Sequence, residues 1–371
     1  MEKRFEFLDS IRGLSALSVL HVHAFTPGDF YHGYSFGVMM FFLLSSFLLT
    51  YQLLLRYEKT TNTIRDKILI SVNYLIMRFF RVYVPFIVFI ILSKLISYSD
   101  FVHQHSIELP LSSFMMLSFN SLSRPAPLFL WTIPVEIKFY FFIPFIALTG
   151  IYFNLNYKLA ILFHTSLLIF VWNLSKLNLN TRVNGTWLLI NTPVFLIGCS
   201  IAILIKSLED HKLPSNRYLS YSIEFISWLM FLVGARLEYF LNSHFQWAVY
   251  WFINMLLMIL AAPNNFTDFL TNFQLLRLIG KYSYGFYLFH GISMTLWQII
   301  YSNYIRSLFY KIIILTGQTL FFGFIYFHLI ENNCIKLAKT INSSLLNKFK
   351  LATSYDNDNT ELIQTPINNQ L

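Results

Sequence analysis

Arg12 and His23 are eleven residues apart in FLDSIRGLSALSVLHVHAF (7–25). On a helix that separation leaves them about 20° apart in phase and about 16 Å apart along the axis, so they share a face. His21, nine residues from Arg12, points to the opposite side. A charge near the centre of a bilayer costs at least about 2.5–3.5 kcal/mol, so polar residues in apolar sequence need a reason. Histidine titrates near neutral pH and suits proton removal from a hydroxyl. Arginine at the rim of the same face suits an anion. The plainer readings are a snorkelling anchor for Arg12 and a packed histidine for His23. Two polar residues on one face bring the functional reading level with the plainer one.

Other residues invite the same question. Glu136 lies within the apolar LFLWTIPVEIKFYFFIP, and Tyr140 is one helical turn on, on the same face. Lys138 points elsewhere. His290 is nine residues past Lys281, about 13 Å along a helix, a depth like that of His23. Arg78 and Arg81 form an Arg-x-x-Arg pair on one helix face. The planar guanidinium fork suits phosphate, although on this spacing alone positive-inside anchoring is the preferred reading. Glu224 has nothing near it that points to chemistry and reads as structural. His21/His23 and His103/His105 lack a third ligand at a usable spacing, so no metal site is expected. There is no phosphate-cradling glycine loop and no serine nucleophile elbow.

The elements that must position these residues are membrane helices. Of 371 residues, 56% are apolar and 12% charged, and the mean hydropathy is +0.55. A soluble domain could not hide that much apolar surface. Disordered, collagenous and ordinary cytosolic classes are excluded. The expected fold is all-α: a polytopic bundle of about ten transmembrane helices over roughly 10–27, 35–55, 82–99, 127–149, 158–174, 187–206, 218–235, 245–262, 282–302 and 308–330. The expected domain runs over 1–335, with a polar cytoplasmic tail over 336–371, disordered at its end. With a cytoplasmic N-terminus, the inner segments hold 18 Lys and Arg and the outer ones 6. Both termini and the 56–81 loop are then cytoplasmic, and 100–126 is the largest outer polar segment. The net charge of +9 is spread between apolar runs, so no nucleic-acid partner is expected. Cys199 reads as a small core residue and, with Cys334, makes no disulfide framework. The N-terminus does not read as a cleaved signal.

The chain resembles the membrane-bound acyltransferase 3 family, the bacterial integral-membrane O-acyltransferases. FLDSIRGLSALSVLHVHAF is similar to the family's Leu-Asp-x-Ile/Leu-Arg-Gly opening, with Arg12 followed by ten residues and His23. GVMMFFLLSSFLLT (37–50) resembles its Gly-Val-x-x-Phe-Phe-x-Leu-Ser-Gly-Phe segment, and RFFRVYVPF (78–86) its Arg-x-x-Arg before Pro. WTIPVEIKFYFFIP (131–144), TPVFLIGCSIAIL (192–204) and GKYSYGFYLFH (280–290) follow in family order. Ser46 replaces a usual Gly, Met39 a frequent Asp, and Pro134 a Ser, which makes Pro134 a candidate kink. Glu331 is followed by Asn332 and Asn333 rather than the frequent Lys-Pro, the weakest of the matches. No esterase-like domain follows the tenth span, so the membrane-domain-only form is expected.

The resemblance implies transfer of an acyl group, usually acetyl, from cytoplasmic acyl-CoA to a glycan hydroxyl. The enzyme would sit as a multi-pass protein in the bacterial inner membrane. His23, Arg12 and Glu136 would be catalytic, with His23 as general base or acyl carrier. Arg78 and Arg81 would hold the CoA phosphates, and Tyr140 and His290 would meet the substrate. Acetyl-CoA or another acyl-CoA is the expected co-substrate, with no permanent cofactor. Capsule, O-antigen or exopolysaccharide are the expected acceptors, with peptidoglycan and small molecules also open. The rival is a transporter or flippase of a lipid-linked glycan, which would also have about ten spans. Transporters often show internal repeats and helices broken at mid-membrane, and neither is seen.

Overall fold

The computed structural model describes residues 7–25, 36–59, 63–97, 132–153, 187–209, 273–301 and 307–348. Scattered positions between 162 and 173, between 221 and 230, and at 250, 254 and 304 are also described. Most of the expected fifth, seventh and eighth spans lies outside these residues, as do the whole 100–126 segment, Glu224 and the 355–371 tail.

Every regular element among the described residues is helical. They are α1 (Phe7–Phe25), α2 (Phe36–Glu58), α3 (Ile64–Arg78), α4 (Val84–Ser97), α5 (Thr132–Tyr140), α6 (Ile143–Phe153), α7 (Trp187–Glu209), α8 (Gln274–Lys281), α9 (Ser283–Ile300), α10 (Leu308–Tyr326) and α11 (Asn332–Lys348). Two π-helical turns, Phe79–Tyr83 and Phe327–Glu331, join α3 to α4 and α10 to α11. The first precedes Pro85, which has no N–H to donate and whose ring crowds the carbonyl of Arg81. Nothing in the sequence explains the second.

Among the described residues, three helices are long and apolar enough to cross a membrane: Gly37–Glu58, Ile64–Ser93 and Leu308–Leu345. The pair α5 and α6 makes a fourth if counted as one span, bent by 42°. The bend falls at Phe141–Phe142, just before Pro144, and not at Pro134, which sits in the first turn of α5. Large apolar side chains cover the outside, Phe145, Phe309 and Leu329 among them at 69%, 68% and 64% exposure. Such a surface suits lipid, where it carries no solvation cost.

The segment over 56–81, expected as a loop, is largely helix. Thr63 caps α3 by accepting a hydrogen bond from the Asp66 amide (3.2 Å), and α3 runs on through the π turn into α4. The 38-residue helix over Leu308–Leu345 likewise passes the boundary expected at 335 without a break. At 1.5 Å per residue it is about 57 Å long, well over the roughly 30 Å of a hydrocarbon core. The two long helices run antiparallel, α3 against α11, and Asn342 Nδ2 donates to the Asn73 carbonyl (3.4 Å).

Close backbone approaches hold the core. A Cβ on Gly13 would collide with the Leu276 carbonyl, and one on Gly280 with the Asp9 carbonyl, so α1 and α8 cross nearly backbone to backbone. Ser46, where the family has Gly, still faces a glycine, Gly198 of α7. Its hydroxyl is tied back to the carbonyls of Phe42 (2.9 Å) and Leu43 (3.1 Å). Cys199 is fully buried and accepts a hydrogen bond from Thr50 (3.1 Å), a core residue as expected.

Candidate active site

The rotation of α1, set by Gly13 against α8, decides which of its polar residues face inward. His21 is exposed and His23 is turned into the bundle. The His23 ring lies 5.2 Å, centroid to centroid, from that of His290 on α9. Similar depth on two helices has become direct proximity. His290 is 1% exposed, and its Nδ1 faces the carbonyl of Tyr287. A carbonyl only accepts, so Nδ1 carries the proton and Nε2 the lone pair. The Tyr287 hydroxyl in turn accepts from Thr132 on α5 (2.8 Å). His23, His290, Tyr287 and Thr132 form one layer.

A second layer is built from arginines. Arg81 lies within electrostatic reach of Arg78, Arg12, Glu331 and Tyr140. Arg12 pairs with Asp9 at 3.3 Å, both partly exposed, so this pair contributes little stability. Glu331 is 5% exposed and its carboxylate abuts Gly285; a Cβ there would stand 3.1 Å from Oε1 and 2.9 Å from the Cα of Gly323. The π turn that carries Arg81 is tied down from two sides. Tyr284 donates to the Val82 carbonyl (2.7 Å), and Tyr326 donates to the Pro85 carbonyl. Beside the turn, a small open-mouthed pocket lies between α2 and α3, with Gln52, Arg56, Tyr74, Arg78 and Arg81 among its lining residues.

One helix face connects the layers. Thr132, Glu136 and Tyr140 recur every fourth residue on α5, over about 12 Å. Thr132 reaches the histidine layer. Tyr140 donates to Glu136 Oε1 at 2.6 Å and lies within reach of Arg78 and Arg81. The bundle therefore holds a cationic end, a histidine end and a polar face between them. That arrangement can seat an anionic head at one end and present a base to a hydroxyl at the other.

The structure brings His23 to His290, Glu136 to Tyr140, and both Arg12 and Arg78 within electrostatic reach of Arg81. Sequence reasoning missed Thr132, Tyr287, Tyr284, Tyr74, Arg56 and Gln52, and gave Glu331 least weight. Thr132, Tyr284 and Tyr287 stood inside motifs already singled out. The others are ordinary residues in or beside apolar runs, without a local signal. No group of three His, Cys, Asp or Glu side chains that could hold a metal ion occurs among the described residues.

A family model described as an acyltransferase domain matches residues 5–328. The chain is 26% identical over 325 residues to a peptidoglycan O-acetyltransferase of Listeria monocytogenes, covering 78% of this chain and 50% of that protein. It is 27% identical over 312 residues to a putative peptidoglycan O-acetyltransferase of Bacillus subtilis, covering 76% and 47%. With a putative O-acetyltransferase of Staphylococcus aureus (strain COL) it shares 24% over 317 residues, covering 78% and 51%. The chain thus spans about half the length of these curated relatives. No solved structure matches it significantly.

Proposed function

Since the chain belongs to the acyltransferase 3 family, we propose that it moves an acyl group, most simply acetyl, from cytoplasmic acyl-CoA to a hydroxyl of a cell-envelope glycan. Two of the relatives carry names that specify peptidoglycan, which makes peptidoglycan the first acceptor to try, ahead of capsule, O-antigen or exopolysaccharide. The observation that carries the reading is the His23–His290 pair at 5.2 Å, joined to an arginine layer by the face of Thr132, Glu136 and Tyr140. The chain would sit in the inner membrane with the arginine layer towards the cytoplasm, where acyl-CoA is made.

In this reading Arg78 and Arg81 hold donor phosphates by charge-assisted hydrogen bonds, with Arg12 adding positive field. The acyl thioester reaches up to the histidine layer. His23 takes the proton of the acceptor hydroxyl as its oxygen attacks the thioester carbonyl. The carbon–sulfur bond then breaks, and the CoA thiolate takes that proton back from His23. His290, its tautomer set by Tyr287, holds the neighbouring ring. Tyr140, its proton given to Glu136, and the other carboxylate oxygen of Glu136 offer acceptors to substrate hydroxyls between the layers.

The test is an acetyl-CoA thiol-release assay on the purified chain with glycan acceptor. His23→Ala is expected to remove acceptor-dependent release while the protein still inserts and binds donor. Thiol release that is unaffected by His23→Ala would overturn the assignment.

A further inference from the structure

The donor reading uses Arg78 and Arg81, but the pocket beside them has other polar walls. Gln52 and Arg56 come from the last two turns of α2, and Tyr74 from α3. Tyr74 is 4% exposed, and its hydroxyl is buried with no hydrogen-bond partner, as is Nε of Arg78. Leaving such a group unpaired costs about 1–3 kcal/mol, so a tyrosine hydroxyl kept there is best explained by a ligand atom that accepts from it. The charges point the same way. Three half-buried arginines line one pocket whose lining residues include no carboxylate, although Glu331 lies within electrostatic reach of Arg81, and such a gathering of positive charge favours an anion. Arg78, at the end of α3, and Arg81, in the π turn, stand on one side of the pocket, and Arg56 of α2 on the other.

We propose that Tyr74 and Arg56 complete the seat for the nucleotide end of the acyl-CoA donor, an inference that rests on the donor reading above. That end carries a diphosphate and a separate ribose 3′-phosphate. Arg78 and Arg81 take the diphosphate, Arg56 takes the 3′-phosphate from the α2 wall, and the Tyr74 hydroxyl donates to a phosphate oxygen. The site thereby distinguishes a 3′-phosphorylated nucleotide from one without that group.

The test is calorimetric titration of the detergent-solubilised full chain with adenosine 3′,5′-bisphosphate and with AMP, beside acetyl-CoA. The wild type is expected to prefer the bisphosphate by about tenfold or more, the scale of one hydrogen bond to a charged group. Arg56→Gln should erase that preference. Tyr74→Phe should weaken both nucleotides about tenfold, yet leave the ligand-free melting temperature unchanged or raised, because it removes an unpaired buried hydroxyl. A purely structural Tyr74 would give the opposite pattern, a lowered melting temperature with unchanged nucleotide affinity. If both variants keep wild-type affinity and preference while acetyl-CoA still binds and reacts, this inference falls and the donor reading stands. If the wild type binds neither nucleotide nor acetyl-CoA, both fall.

Discussion

His21 and His23 are two residues apart in sequence, yet one is exposed and the other stands 5.2 Å from a second imidazole. A base must reach the proton it removes, so only the inward ring qualifies. His23→Ala is expected to lower acyl transfer about 10²–10⁴-fold, and His21→Ala to leave it close to wild type, as read by ester formation at matched expression. A dead His21 variant with an active His23 variant would reverse the assignment. This much was legible in the sequence, because helical phase needs only spacing. The partner of His23 was not, since depth on separate helices says nothing about which helices touch. Thr132 and Tyr287 were hidden for another reason: neither is charged, so neither looks costly in an apolar span.

The π turn over Phe79–Tyr83 is the element on which Arg81 depends, and it is held from outside its own helix. Tyr284→Phe removes the hydroxyl that satisfies the Val82 carbonyl. The expected result is a loss of about 1–3 kcal/mol, read as a lower melting temperature, together with a raised KM for acetyl-CoA and a smaller change in kcat. A changed kcat with unchanged KM would place Tyr284 in the chemistry instead. Gly280→Ala tests the α1–α8 crossing in the same spirit. Its Cβ would meet backbone, which cannot swing aside, so His23 and Arg12 should both lose register and activity should fall with the melting temperature. The helix over 64–78 illustrates a signal passed over. Charges made 56–81 read as a loop, but Thr63 followed three residues later by Asp66 is a helix-start pattern, and Ile70, Tyr74 and Met77 fall on its buried face. Pro85 likewise marked a disturbance, though not that it would take the form of a π turn.

At the scale of the whole molecule, some of the described segments that the Lys and Arg count assigns to one side meet in the structure. Lys206 pairs with Glu58 at 2.9 Å, Tyr57 meets Ser71 at 2.6 Å, and Asn342 meets Asn73. Lys311 donates to the Ala24 carbonyl (2.6 Å), joining the end of α1 to the start of α10. Which end faces the cytoplasm is checked by a single cysteine at the exposed Arg65, with Cys199 and Cys334 replaced by serine. Impermeant thiol reagent should reach it only after the cells are opened, and labelling in intact cells would invert the proposed topology. The central claim is group transfer across this bundle, and its most direct measurement uses the purified chain in bilayer discs with acetyl-labelled acetyl-CoA and peptidoglycan glycan strands. The expected result is free thiol released in step with alkali-labile acetyl ester on the glycan, both abolished by His23→Ala. Donor and acceptor that both bind, with neither thiol released nor ester formed, would contradict it.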